Sequence, residues 1–219
     1  MRARLAWALA ALPLAACTVP PRQPAVPAPT HASSAELAAA IAAAARQSEQ
    51  EVDPHRRADL AAAASRDADE CIAQAPEAAA CLFGRGVALG LEAREHPAHA
   101  SALLNDMLST LARAEAIDPA YDDAGPARVQ GLVWTRAPGW PLGPGDPERG
   151  LAAAQRAAAL RPQHPPNWLA VAEAQAKTGA PADARASYER ARDLATALPD
   201  TPDRAEWLKE AQQGLRHLP

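Results

Sequence analysis

Residues able to do chemistry are few in this chain, and they do not converge. His96 and His99 are three apart, a spacing that sets two imidazoles on one helix face, but Pro97 between them marks a helix start instead. His31, His55, His164 and His217 are scattered. Asp122 and Asp123 are adjacent, and neighbours on a helix point apart. No serine sits in a nucleophile elbow. The glycines of 139–145 lie among prolines, not between a strand and a helix as a phosphate loop requires. No metal, cofactor or catalytic constellation is expected. Recognition is better served. Arg128 offers a bidentate partner for a ligand carboxylate, or an ion pair with Asp122, Asp123 or Asp146. Trp140 offers a partner anchor, or a cover folded back over the core. Asn167 offers a ligand contact in a groove, or the N-cap of the helix that carries Trp168. Cys71 and Cys81 lie at mirrored distances from Pro76, as a disulfide or as two small buried apolar residues.

The elements that must position these residues are helices. Alanine is abundant, and aromatic residues make up only 4% of the chain, so strands are not expected. Helices are predicted over 33–51, 55–74, 77–94, 98–117, 124–136, 147–160, 166–178, 181–196 and 203–217. Asp146-Pro147-Glu148 is a start signal, with an N-cap acid, proline at N1 and an acid in the first turn. One stretch repeats a helix-pair pattern clearly. Trp168 opens one helix and Ala172 follows four later; Ala184 opens the next, with Tyr188 four on and Ala191 three beyond. This resembles the tetratricopeptide (TPR) repeat, in which small residues let two helices close and aromatics fill the space beside them. Helix ends before Pro76, Pro119 and Pro162 echo it. These prolines are 43 residues apart both times (119 − 76 and 162 − 119), so each gap exceeds the ~34-residue unit by about nine. The expected architecture is an all-α, TPR-like solenoid of four helix pairs over 33–219, closed by a capping helix.

Ahead of it, Arg2 and Arg4 precede the apolar run Leu5–Leu12, too short to span a bilayer. Leu14-Ala15-Ala16-Cys17 resembles the bacterial lipobox. It implies a signal peptide over 1–16, cleavage before Cys17 and lipid on that cysteine. Residue 18 is Thr, not the Asp that would favour inner-membrane retention, which implies the periplasmic face of the outer membrane. The Pro-rich stretch within 17–32 predicts an extended tether of roughly 40 Å. Cleavage would lower the basic residues from 22 to 20 against 26 acidic ones, moving the net charge from −4 to −6. That balance argues against nucleic acid as a partner.

A second resemblance lies in the order Gly125-Pro126-x-Arg128-x-x-Gly131, then Pro138-x-Trp140-Pro141, then Gly145-Asp146, then Asn167 to Ala172-Glu173. Over about 120–198 the chain resembles TatT, the TPR lipoproteins associated with TRAP-type transporters. The resemblance implies a periplasmic scaffold that docks the solute-binding protein and passes on an apolar or acidic small ligand. The alternatives are an outer-membrane or pilus-secretin assembly lipoprotein and, with less to recommend it, a cell-wall enzyme.

Overall fold

A computed structural model of the protein describes residues 32–219. The expected signal peptide, Cys17 and the expected tether up to His31 lie outside the described residues. Helix starts are written into the sequence. Ser33 and Glu36 form a reciprocal capping box: Ser33 N–H donates to the Glu36 carboxylate at 2.7 Å, and Glu36 N–H donates to Ser33 Oγ at 3.3 Å. It opens α1 (Ser34–Gln50). Proline stands in the first turn of α2 (Pro54–Gln74), α6 (Pro147–Leu160), α7 (Pro165–Lys177), α8 (Pro181–Thr196) and α9 (Pro202–His217). There its missing N–H goes unneeded and its fixed φ suits the helix. The other three helices are α3 (Ala79–Glu95), α4 (Ala100–Ile117) and α5 (Tyr121–Arg136), with a 3₁₀ turn at Pro97–His99.

Consecutive helices pack as hairpins α1/α2, α3/α4, α5/α6 and α7/α8, and α9 covers the end of the stack against α8 and α7. Alanines at the crossings keep the helices close: Ala64, Ala68, Ala88, Ala154, Ala157, Ala172 and Ala184 are all fully buried. Hairpin α5/α6 is tighter still. A Cβ on Gly131 would stand 3.0 Å from the Gly150 carbonyl, and one on Gly150 would stand 3.0 Å from the Gly131 carbonyl. Trp168 bridges two core clusters, and the Tyr188 ring lies against Gly214 of α9. Cys71 of α2 and Cys81 of α3 are joined as a disulfide, with Cα atoms 5.3 Å apart and both residues buried. The nine-residue surplus of the second gap is the 137–146 loop. In the first gap, six of the nine are taken up by longer helices, 17 residues in α3 and 18 in α4 against 13 and 16 in α7 and α8.

Because the hairpins are antiparallel, the turns within them gather on one edge of the solenoid: 51–53, 96–99, 137–146 and 178–180. The turns between hairpins gather on the other: 75–78, 118–120, 161–164 and 197–201.

Candidate functional site

The start of α5 departs from the predicted simple helix. Asp122, Asp123 and Ala124 run consecutively with φ of 48°, 52° and 65°, a left-handed turn built from residues that carry a Cβ. Each such residue costs about 1–2 kcal/mol, and left-handed conformations ordinarily occur singly. Right-handed helix resumes at Gly125-Pro126, with proline again in a first turn. Gly125 is required here, since a Cβ would meet Asp122 Oδ2 at 2.8 Å and the Phe83 ring at 3.0 Å.

Arg128 and Asn167 hold this turn. Arg128 Nη1 donates to the carbonyls of Asp122 and Asp123, each at 3.2 Å, and to Asn167 Oδ1 at 3.1 Å. Its Nη2 donates to Asp122 Oδ2 at 2.9 Å. Burial pulls the guanidinium pKa down, and the two aspartates act against that. Asn167 is fully buried, and its Nδ2 reaches the carbonyls of Asp123, Ala157 and Arg161 at 3.0, 3.2 and 3.1 Å. Of the two expectations for Arg128, the ion pair with Asp122 is the one present. The N-cap expectation for Asn167 is corrected: α7 starts at Pro165 after His164, so Asn167 is the third helical residue. Its amide closes the preceding turns rather than its own helix.

His164 stands 3.6 Å from Asp123 and lies edge-on to Trp207, ring centroids 5.5 Å apart. Burial lowers its pKa, the Arg128 charge adds to the effect, and Asp123 and Asp122 oppose it. A lowered histidine favours the neutral ring in the fold. Its contribution is therefore complete above the unfolded value of about 6.5 and is lost as pH falls below it. Beside it a hollow of about 570 Å³ is walled by Leu160, Leu198, Trp207 and Asp123.

Trp140 does not fold back over the core. It is 91% exposed at the tip of the 137–146 loop, and Leu142 beside it is 76% exposed. The loop is nonetheless built. Gly145 N–H donates to the Pro138 carbonyl at 2.8 Å, Asp146 N–H donates to the Trp134 carbonyl at 2.8 Å, and Gly145 leaves no room for a Cβ against the Ala137 carbonyl. Asp146 Oδ1 then caps α6 by accepting Arg149 N–H at 3.1 Å. The Arg149 guanidinium lies 4.5 Å over the Trp134 ring. Arg149 was missed in the sequence, where only its place after an N-cap was visible.

Another group invisible to the sequence spans α5, α7 and α9. Arg136 makes a two-pronged pair with Glu173, Nε to Oε1 at 2.8 Å and Nη2 to Oε2 at 2.6 Å, and its Nη2 stands 3.7 Å from Glu210. The Glu173 hydrogen bonds raise the pKa of Arg136, while burial and the neighbouring glutamates raise that of Glu210 against the Arg136 charge. Tyr188, under the same wall, is pushed up to about 12, chiefly by burial. A hollow of about 300 Å³ lies there among Glu173, Tyr188, Glu210 and His217. Among the described residues no group of three or more His, Cys, Asp or Glu is placed to hold a metal ion. No described helix is long and apolar enough to cross a membrane.

No family model matches the chain. No curated protein matches it either. Among solved structures, a thermophilic TPR protein of Thermus thermophilus matches with a TM-score of 0.54 at 22% identity, over 82% of this chain and 92% of that one. With its helix pairs and capping helix, the protein has an all-α, TPR-like helical-repeat fold.

Proposed function

We propose that this chain is a non-enzymatic, membrane-anchored scaffold of the bacterial envelope. It would be lipidated at Cys17, held at the periplasmic face of the outer membrane, and would dock a protein partner on its helical repeats. The observation that carries the docking is the fold: a TPR-like solenoid offers extended surface between repeats, and such surfaces serve binding. The buried Cys71–Cys81 disulfide supports an exported setting, since disulfides persist in oxidising compartments. For the partner, the solute-binding protein of a TRAP-type transporter is the reading supported by the resemblance over 120–198. Its loop, with Trp140 exposed, lies within a single hairpin here.

Two measurements test the proposal. Metabolic labelling with a palmitate analogue should mark the wild type and leave Cys17→Ser unlabelled and soluble; a Cys17→Ser chain that still sediments with membranes overturns the anchor. Purified solute-binding protein from a transporter encoded beside this gene should be retained by the immobilised chain. Retention of outer-membrane assembly or secretin components in its place would overturn the partner.

A further inference from the structure

Ser101, Asn105, Leu108, Ser109 and Ala112 fall along one face of α4 and form one wall of two adjoining hollows, of about 320 and 370 Å³. The hollows share Asn105, Pro144 and Arg149, so they make one groove. At 1.5 Å per residue, Ser101 to Ala112 spans about 16 Å. Trp140 and Trp134 stand on the facing wall, one at each end.

The groove holds one cation, Arg149, and one anion, Asp146, and the Arg149 guanidinium is the one without a hydrogen-bond partner among the described residues. Arg149 makes no ion pair with any described residue, unlike the interrepeat arginines Arg85, Arg136 and Arg156, which pair with Asp69, Glu173 and Glu115. The hollow of about 370 Å³ has no acidic lining residue. Asp146 lines the other, and one of its oxygens is engaged by the Arg149 backbone N–H. Stacking on Trp134 presents the planar guanidinium while leaving its N–H edge free for a two-pronged bond. The half-buried Trp134 supplies apolar surface within reach of that edge, with the buried Leu108 behind it.

We propose that this groove binds an extended peptide segment of a protein partner through a carboxylate that pairs with Arg149, while the apolar side chains flanking that carboxylate reach Trp134 on one side and Trp140 on the other. A peptide fits better than a small acid. The groove is open along its length, whereas small-molecule sites enclose most of their ligand. Its ~16 Å matches about five residues of extended chain at roughly 3.3 Å each. The proposal rests on the scaffold reading and narrows it to one surface and one chemistry.

The test uses the full chain and two libraries of capped, fluorescein-labelled heptapeptides. One carries a central Glu flanked by Phe, Leu or Trp, and the other is identical except for Gln at the centre. By fluorescence anisotropy the best Glu peptides should bind at least tenfold tighter than their Gln counterparts. Arg149→Gln should erase that difference, and Ser109→Trp should block both sets, with circular dichroism unchanged in each variant. Equal binding of Glu and Gln peptides, or a Glu preference that survives Arg149→Gln, overturns the proposal. So does 3-phenylpropionate binding as tightly as the best peptide, which would make this a small-acid site. Retention of the solute-binding protein separates the two readings. If it persists in Arg149→Gln and Ser109→Trp, the groove falls and the scaffold stands. If no chain retains it, the scaffold partner falls, and the peptide libraries still decide the groove.

Discussion

With its side chain wholly buried, Asn167 makes four polar contacts that no water can replace. Asn167→Ala removes one donor each from the carbonyls of Asp123, Ala157 and Arg161, which keep Arg128 Nη1, the Arg161 N–H and the His164 N–H, and it removes an acceptor from a nearly buried guanidinium. Each hydrogen bond lost contributes about 0.5–1.5 kcal/mol, and the methyl that remains cannot support the left-handed turn. The expected loss is about 2–4 kcal/mol by urea titration; a loss under about 0.5 kcal/mol would mean the turn holds itself. The sequence marked Asn167 and Arg128 as polar residues worth notice, yet nothing in it joined them. They are 39 positions apart, and the joint depends on three left-handed residues at Asp122–Ala124 that carry no glycine to announce them. Trp140 shows the converse. Its Pro/Gly surroundings were plain in the sequence, but exposure is settled by which way the loop tip faces.

At the level of the helices, the sequence was far more legible. Predicted and observed spans differ by a residue or two at most ends, because proline, Asp53, Asp146 and Thr201 mark the starts by local chemistry. The start of α5 is the exception, for the reason just given. The α2–α3 junction adds a covalent element to the packing. Cys71 and Cys81 are ten residues apart, and cross-links closing loops of roughly this size contribute about 2–3 kcal/mol through the unfolded chain. The Cys71→Ala/Cys81→Ala double variant should therefore melt well below the wild type, and reductant should lower the wild type alone. Identical melting of the two chains would show that the bond adds nothing.

Across the whole molecule, the repeats bring the first helix within electrostatic reach of the last. Glu49 on α1 stays exposed at the surface, yet its pKa is raised by partial desolvation and then by the Glu206 charge on α9, against Arg94, Arg136 and Arg46. Glu210 on α9 is raised as well. A carboxylate with a raised pKa weakens the fold while ionised. The penalty is present above its folded pKa and is gone below the unfolded value near 4.5. Glu49→Gln should therefore raise Tm at pH 7.5, and the gain should shrink as pH falls toward 4.5. A gain that is constant with pH would place Glu49 away from the opposite end of the solenoid. No periodicity in the sequence foretells this approach, because it depends on the summed rotation of every hairpin.

The disulfide also has a mechanical meaning. The Ala32 carbonyl accepts a hydrogen bond from Gln74 Nε2 at 3.0 Å, so the chain enters the solenoid beside the end of α2, three residues from Cys71. Tension arriving through the preceding residues is therefore delivered next to a covalent splice. If α1 and α2 were peeled away, the segment from Cys71 to Cys81 could not pay out its ~35 Å of contour, and the pull would pass directly into α3.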